Sequence, residues 1–374
     1  MNKTPNIIIS GGGTGGHIFP AISIAKEIIK RHPKAKIQFI GAKNRMEMTR
    51  VPKEGFPIFG INIAGFQRKA FFKNISLPIK ILLSLFQVHR FLRKQKPDAV
   101  IGTGGYVSGP TLFMAQLMGI PTIIQEQNSL AGWTNRILGK KAKVICVAYY
   151  GMEKFFPLKK IQLTGNPVRN EIAEIGSTDS ESEKSIAAKN KLGFNPKYPL
   201  ILVLGGSQGA KEINRAIEKN HKEWNQNNIQ ILWQSGDRYY NNLLDKISQT
   251  EFILIKPFLN DMTLAYLGAD LVISRAGAGT ISELCCVGAA SILIPSPNVS
   301  EDHQTRNAKN LSDLNAALFI DEKNVINNIG NMVLEVVFNN AKLKSLRSNI
   351  LQLSKPNATE DIVDNLEKYW LWKN

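Results

Sequence analysis

Short runs of β-branched and apolar residues alternate with longer amphipathic stretches along all 374 residues of this chain. In the first half the runs are Asn6–Ser10, Lys36–Ile40, Ile58–Ile63, Asp98–Ile101, Pro121–Ile124 and Val144–Val147. In the second half they are Leu200–Leu204, Ile229–Trp233, Phe252–Ile255, Leu271–Ser274, Ser291–Ile294 and Ala317–Ile320. Most are apolar almost throughout rather than alternating, the mark of strands buried on both faces of a parallel sheet. Helical periodicity fills the gaps. The pattern predicts an α/β protein of two doubly wound, Rossmann-like domains facing a cleft, with ligands at the carboxyl ends of the strands. Turn residues in LTGNPVR (Leu163–Arg169) place the boundary there. Residues 1–163 then form one domain and 164–357 the other, and a last helix within 358–374 returns to the first.

One stretch departs from the ordinary amphipathic pattern. In SLPIKILLSLFQVHRFLRK, Lys80, Ser84 and Gln87 make a narrow polar stripe, while Ile79, Ile81, Leu82, Leu83, Leu85 and Phe86 cover most of the remaining surface. A helix apolar on more than one side must bury more than one side. One face is expected on the sheet and another in lipid. Arg68, Lys69, Lys73, Arg90, Arg93 and Lys94 flank it, and Lys140, Lys141 and Lys143 add charge nearby in sequence. Basic residues around an apolar face favour an anionic bilayer surface. The whole chain carries a net charge of +17, which suits an anionic partner. No nucleic-acid module signature is present, so nucleic acid is not the expected partner. No uncharged run reaches the ~18 residues of a membrane span, and the N-terminus lacks a secretory signal pattern. Cys146, Cys285 and Cys286 fit neither a disulfide framework nor a zinc spacing and are expected as buried, reduced thiols.

Chemistry concentrates in four glycine loops. GGGTGGH (Gly11–His17) follows the apolar run Ile7–Ile9 and leads into a helix that Pro20 is expected to open. Such a turn leaves backbone N–H groups unpaired at a helix N-terminus, a site for phosphate. Gly11, Gly13 and Gly16 satisfy G-x-G-x-x-G, but the second strand ends Phe39-Ile40-Gly41-Ala42-Lys43 without the carboxylate that binds a dinucleotide's ribose. GTGGYVSGP (Gly102–Pro110), GGSQGA (Gly205–Ala210) and SRAGAGTISE (Ser274–Glu283) also follow predicted strands. Ala278, Gly279 and Thr280 would open a helix and offer donors to a diphosphate. Glu283 either accepts from ribose hydroxyls or complements the helix dipole. There is no D-x-D pair for a divalent cation, so neither a metal nor a cofactor is expected; Arg169 and Arg275 are candidates to stabilise a leaving diphosphate.

Together with QEQNSLAGWTNR (Gln125–Arg136), LTGNPVR and EDHQTRNA (Glu301–Ala308), these loops lie in the order found in the MurG family, which the whole chain resembles. The resemblance implies an inverting glycosyltransferase of the GT-B type. It would move N-acetylglucosamine from UDP-N-acetylglucosamine to the muramoyl 4-hydroxyl of lipid I (undecaprenyl-pyrophosphoryl-muramoyl-pentapeptide), giving lipid II for peptidoglycan. The alternative is another GT-B enzyme acting on a UDP-sugar, a lipid glycosyltransferase or an epimerase. The resemblance implies a peripheral enzyme on the cytoplasmic face of the bacterial plasma membrane, against the anionic inner leaflet. It marks Thr14, Gly15, Gly16, Asn128, Arg169, Ser207, Ala278, Gly279, Thr280, Glu283 and Gln304 as donor-site residues. Backbone atoms of Leu259 would read uracil, and Gly104 and Tyr106 would lie on the acceptor side. Where the family often has histidine, this chain has Gln125; where some members have two glutamines, it has His303-Gln304. Transfer needs a base for the acceptor hydroxyl. His17 is one candidate, since a histidine titrates near neutral pH, and Glu126 is the other.

Overall fold

The computed structural model describes residues 4–65, 77–176, 182–206, 208–297 and 302–370. The predicted sites Ser207, Arg68, Lys69 and Lys73 lie outside the described residues. The chain divides into two compact units, Met1–Val168 with Asn357–Asn374, and Arg169–Pro356.

The first unit is built on a parallel sheet of β1 (Asn6–Gly11), β2 (Lys36–Ala42), β3 (Ile58–Ile61), β4 (Ala99–Gly104), β5 (Thr122–Glu126), β6 (Val144–Val147) and β7 (Ile161–Leu163). Their order across the sheet is β3-β2-β1-β4-β5-β6-β7. Ile9 of β1 sits opposite Phe39 on one side and Ile101 on the other, so the central strand is flanked by apolar residues in both directions. β7 adds a short edge strand that the sequence pattern did not predict; its residues are half-buried or exposed, so it carries no continuous apolar run. Helices α1 (Gly15–Arg31), α2 (Glu47–Lys53), α3 (Leu77–Gln95), α4 (Ser108–Leu117) and α5 (Trp133–Gly139) connect the strands.

Pro20 does not open α1. The helix begins at Gly15, where extended Thr14 acts as the N-cap, and Pro20 lies inside it. Proline has no N–H to give, so the Gly16 carbonyl four residues earlier loses its usual intrahelical donor.

α3 is turned opposite to ordinary amphipathic logic. Ser84, in the predicted polar stripe, is fully buried, and its hydroxyl donates to the Ile81 carbonyl. Gln87 accepts from the backbone N–H of Asn62. Ile79, Leu82 and Phe86 are 62%, 68% and 65% exposed. The polar stripe therefore faces protein, with Val88 and Leu92, and the apolar residues face out.

The second unit has the parallel order β10-β9-β8-β11-β12-β13. Its strands are β8 (Leu200–Leu204), β9 (Gln230–Gln234), β10 (Ile253–Lys256), β11 (Leu271–Ser274), β12 (Ser291–Leu293) and β13 (Leu318–Phe319). Helices α6 (Asn170–Ala173), α7 (Glu183–Lys191), α8 (Lys211–Gln226), α9 (Asp237–Leu244) and α10 (Met262–Gly268) accompany the first strands. α11 (Ala278–Val287), α12 (His303–Asp313), α13 (Val325–Val337) and α14 (Asn340–Leu351) complete the unit. Trp224 and Trp233 are fully buried here, and Trp233 spends its indole N–H on Asn214. Most buried polar groups find such partners. α15 (Ala358–Trp370) packs on α1 of the first unit.

In each sheet the strand order reverses beside the first strand, between β1 and β4 and between β8 and β11. Loops leaving such neighbours in opposite directions open a crevice at their carboxyl ends. Those four loops are the glycine-rich segments.

Candidate functional site

In the first unit the two loops interlock. Gly12 N–H donates to the Gly104 carbonyl, and Gly13 N–H to Glu47. Gly104 and Gly105 have φ of +101° and +79°. A Cβ on Gly105 would stand 2.1 Å from the Gly12 carbonyl, and one on Gly104 would stand 2.7 Å from His17 Nδ1. Only glycine permits both the backbone and the approach. Gly104 thus makes room for the imidazole, and Tyr106 lies against Gly13 and Gly65. The N-terminus of α1 has no side-chain cap and no acidic residue in its first turn. Thr14, Gly15 and Gly16 therefore frame a partly exposed set of donors suited to phosphate.

His17 lies in that first turn. Its Nδ1 is 3.0 Å from both the Thr103 carbonyl and Gln127 Oε1. Two acceptors facing one nitrogen require a proton there, which leaves Nε2 with a lone pair. Burial pushes the imidazole below its ordinary value, outweighing the hydrogen bonds to Gln127 and Thr103 and the charge of Glu47, which act the other way. The ring is thus neutral at physiological pH and able to accept a proton at Nε2.

Glu126, the rival base, is committed elsewhere. Its Oε1 accepts from Asn128 N–H at 3.2 Å, and its Oε2 from Gly132 N–H at 3.1 Å and Asn135 Nδ2 at 2.8 Å. Burial pushes this carboxyl above its ordinary value despite those donors. These bonds close the loop from Asn128 to Asn135, which makes Glu126 the more committed of the two candidate bases. Asn128 belongs to the same loop.

Glu47 and Gln127 escaped the sequence reading. Glu47 is a fully buried carboxylate that accepts from the N–H groups of Ala42 and Gly13 and so pins the first loop. Nothing in MEMTR distinguishes it from a surface acid; only its place after the second strand was a signal.

In the second unit Ala278, Gly279 and Thr280 form the first turn of α11, as the spacing predicts. Extended Gly277 precedes it, and neither a side-chain cap nor a first-turn acid is present. Glu283 is the sixth residue of the helix, beyond the turn where a dipole contact acts, so that alternative loses its geometry. Its Oε1 accepts from Arg169 Nε and Nη2 at 3.1 and 2.9 Å, and its Oε2 from the Tyr266 hydroxyl at 3.0 Å. A carboxylate offers about four lone-pair positions, so one remains, on Oε2. Burial raises the Glu283 carboxyl against the opposing pull of Arg169.

Three expectations change here. Arg275 gives its guanidinium to the Ile294 and Pro295 carbonyls and to Glu322, so it is not free to stabilise a diphosphate. Leu259 N–H is already donated to Gln234 Oε1, which leaves only its carbonyl for a base. Arg169 is held on Glu283 and reaches a diphosphate only by leaving or sharing it. Gln304 accepts from Ser296 N–H at 2.8 Å, so its NH₂ is the group left for a sugar hydroxyl. The three cysteines are buried and unpaired, with Cys146 and Cys285 pushed up to about 12 by burial. No cluster able to hold a metal ion occurs among the described residues.

Residues 7–147 match the glycosyltransferase family 28 N-terminal domain, and residues 200–365 its C-terminal domain. A Bacteroides thetaiotaomicron protein is 46% identical over 98% of both chains. It is named UDP-N-acetylglucosamine–N-acetylmuramyl-(pentapeptide) pyrophosphoryl-undecaprenol N-acetylglucosamine transferase. The crystal structure of Acinetobacter baumannii MurG is 30% identical, covers 97% of this chain and 99% of its own, and superposes with a TM-score of 0.78. The glycotransferase of kitacinnamycin, 14% identical over 98% of this chain and all of its own, shares the fold at a TM-score of 0.69.

Proposed function

The chain belongs to glycosyltransferase family 28 and within it to the MurG transferases, and from that premise we propose how its two units divide the reaction. The enzyme transfers N-acetylglucosamine from UDP to lipid I, the lipid-linked muramoyl-pentapeptide of peptidoglycan synthesis. The second unit binds the donor: the first turn of α11 takes the diphosphate, Glu283 the ribose, and Gln304 the sugar. The first unit binds the acceptor, and the Thr14–Gly16 turn, which the resemblance marks for the donor, faces the acceptor's pyrophosphate as well. His17 takes the proton from the 4-hydroxyl as that oxygen attacks the anomeric carbon, and the sugar inverts as UDP leaves. The observation that carries this assignment is the open Nε2 of a neutral imidazole beside an uncapped helix N-terminus. Incubation with labelled UDP-N-acetylglucosamine and a lipid I analogue should give labelled disaccharide lipid. Pure, folded protein that gave none would overturn the reading.

Removing the Glu283 charge should act on the donor alone. A hydrogen bond to a charged group contributes about 1.5–3 kcal/mol, or roughly 10–100-fold in affinity. Glu283→Gln is expected to raise the donor KM by about that factor and leave the acceptor KM unchanged. A change confined to the acceptor KM would reject the ribose role.

The outward apolar face of α3 lies, in this proposal, in the anionic inner leaflet at the cytoplasmic face of the membrane. No helix among the described residues is long and apolar enough to cross a bilayer. Ile79, Leu82, Leu83 and Phe86 are exposed, and Arg90, Arg93 and Lys94 follow on the same helix. Apolar insertion and basic attraction then act together. Binding to anionic vesicles should weaken as salt rises, and Leu82→Glu with Phe86→Glu should abolish it while sparing transfer to a short-chain soluble acceptor. Equal binding to neutral and anionic vesicles would count against it.

A further inference from the structure

We propose that a chain of three buried amides, Asn166, Gln125 and Gln127, sets the tautomer of His17. The proposal rests on the reading of His17 as the proton acceptor. Each amide has one acceptor end and one donor end, and each link fixes the direction of the next. Asn166 Nδ2 donates to the Gln127 backbone carbonyl at 3.0 Å, which has no other polarity to offer, so Asn166 Oδ1 must point away from it. That oxygen accepts from Gln125 Nε2 at 2.8 Å. Gln125 is thereby oriented with its own Oε1 toward Gln127, whose Nε2 donates to it. Gln127 Nε2 also faces the carbonyls of Thr103, at 2.5 Å, and Gln125, at 3.1 Å. With three acceptors around its nitrogen, Gln127 cannot turn over. Its Oε1 is left facing His17 Nδ1. The Thr103 carbonyl presents a second acceptor to the same nitrogen.

The three side chains are at most 2% exposed, so water does not substitute for a missing link. Which ring nitrogen carries the proton is set by the hydrogen bond that the other makes. Here the chain and the Thr103 carbonyl together hold the proton on Nδ1 and keep Nε2 as the basic atom. None of the three amides titrates, so the selection holds across the working pH range. A histidine at position 125 would introduce a titrating group into the chain. Gln127 and Gln125 are thus positioning residues: they act through His17 and need not touch substrate.

The direct test is the ¹⁵N spectrum of the His17 ring in the intact enzyme. Near neutral pH, Nδ1 should resonate as protonated and Nε2 as unprotonated; the reverse would overturn the proposal without any variant. Gln127→Leu and Gln125→Leu leave the Thr103 carbonyl as the remaining fixed acceptor at Nδ1, so each should raise a minor Nε2–H population above that of the unaltered enzyme. Partners that orient metal-bound histidines are worth about 10–100-fold, and the same scale is expected for this unmetallated ring. A fall in kcat of that order, with both KM values unchanged, is expected for each. Because both act through one group, the double variant should lose little more than either single one. A pure Nδ1–H spectrum in both variants would reject the relay. Since the spectrum does not depend on turnover, it stays decisive if His17→Ala proves active and the base assignment fails on its own.

Discussion

His17→Ala should lower kcat by about 10²–10⁴-fold, the usual contribution of a positioned general base. The donor KM should stay near that of the unaltered enzyme, because the imidazole belongs to the first unit and the proposed ligands of the diphosphate, ribose and sugar, Ala278–Thr280, Glu283 and Gln304, to the second. The loss should appear in single-turnover measurements with donor saturating, where product release cannot hide it. The pH profile supplies the sign. The active form is the neutral ring, and burial holds its pKa below 6.5. Activity should therefore be flat through neutrality and fall as pH drops through a midpoint below 6.5, where the ring gains its proton. Alanine should remove that acid limb along with the rate. Near-unaltered turnover in His17→Ala, or an unchanged acid limb in its residual activity, would exclude the imidazole as the base. Glu126→Gln offers the contrast. Its oxygens are filled by the N–H groups of Asn128 and Gly132 and by Asn135. The defect there should be one of loop order, with the acid limb retained.

The strands and the glycine loops were legible because both depend on local chemistry. Ile7–Ile9 and Leu200–Leu204 can satisfy their side chains only in a sheet covered on both faces. Gly13, Gly104 and Gly105 mark tight turns by residue type, and all three have positive φ. What stayed hidden depends on partners distant in sequence. Gln127 reads as an ordinary polar residue until the fold sets its amide against a histidine 110 positions away. Arg275 reads as a free cation until Glu322 and two carbonyls occupy it. α3 shows the limit of periodicity itself. The pattern located a polar stripe and an apolar surface but not which one meets the protein, because Ser84 and Gln87 can satisfy their hydrogen bonds inside as well as in water.

Removing residues 357–374 should unfold the first unit while leaving the second intact. Ala358, Ile362, Val363 and Leu366 are fully buried and share one helical face of α15. Ile362, Val363 and Leu366 join the core formed by Ile7, Ile9, Ile18, Ile24 and Ile28, of which the last three lie on α1. Each large side chain contributes about 1.5–3 kcal/mol on burial. Three of them amount to a large share of the ~5–15 kcal/mol that typically holds a domain. Polar contacts add direction more than energy: Arg31 bridges Glu27 and Asp364, and His32 Nε2 lies 2.8 Å from Glu367. Arg31 is partly exposed, so screening keeps its pairs weak beside the apolar contacts. The two units carry separable probes. Trp224 and Trp233 are buried in the second; of the first unit's tryptophans, Trp370 and Trp372 leave with the removed segment, and only Trp133, 68% exposed, remains to report little. The truncated protein should therefore keep its tryptophan transition but lose part of the cooperative change in far-ultraviolet circular dichroism. Leu366→Ala should show a milder form, about 2–5 kcal/mol. An unchanged dichroism transition after truncation would reject the role of α15. The consequence reaches the site because α1 begins at Gly15 and carries His17 in its first turn. The last helix thus supports the element on which the proposed proton acceptor stands, and Leu366→Ala should lower the temperature at which transfer is lost before it changes kcat at moderate temperature.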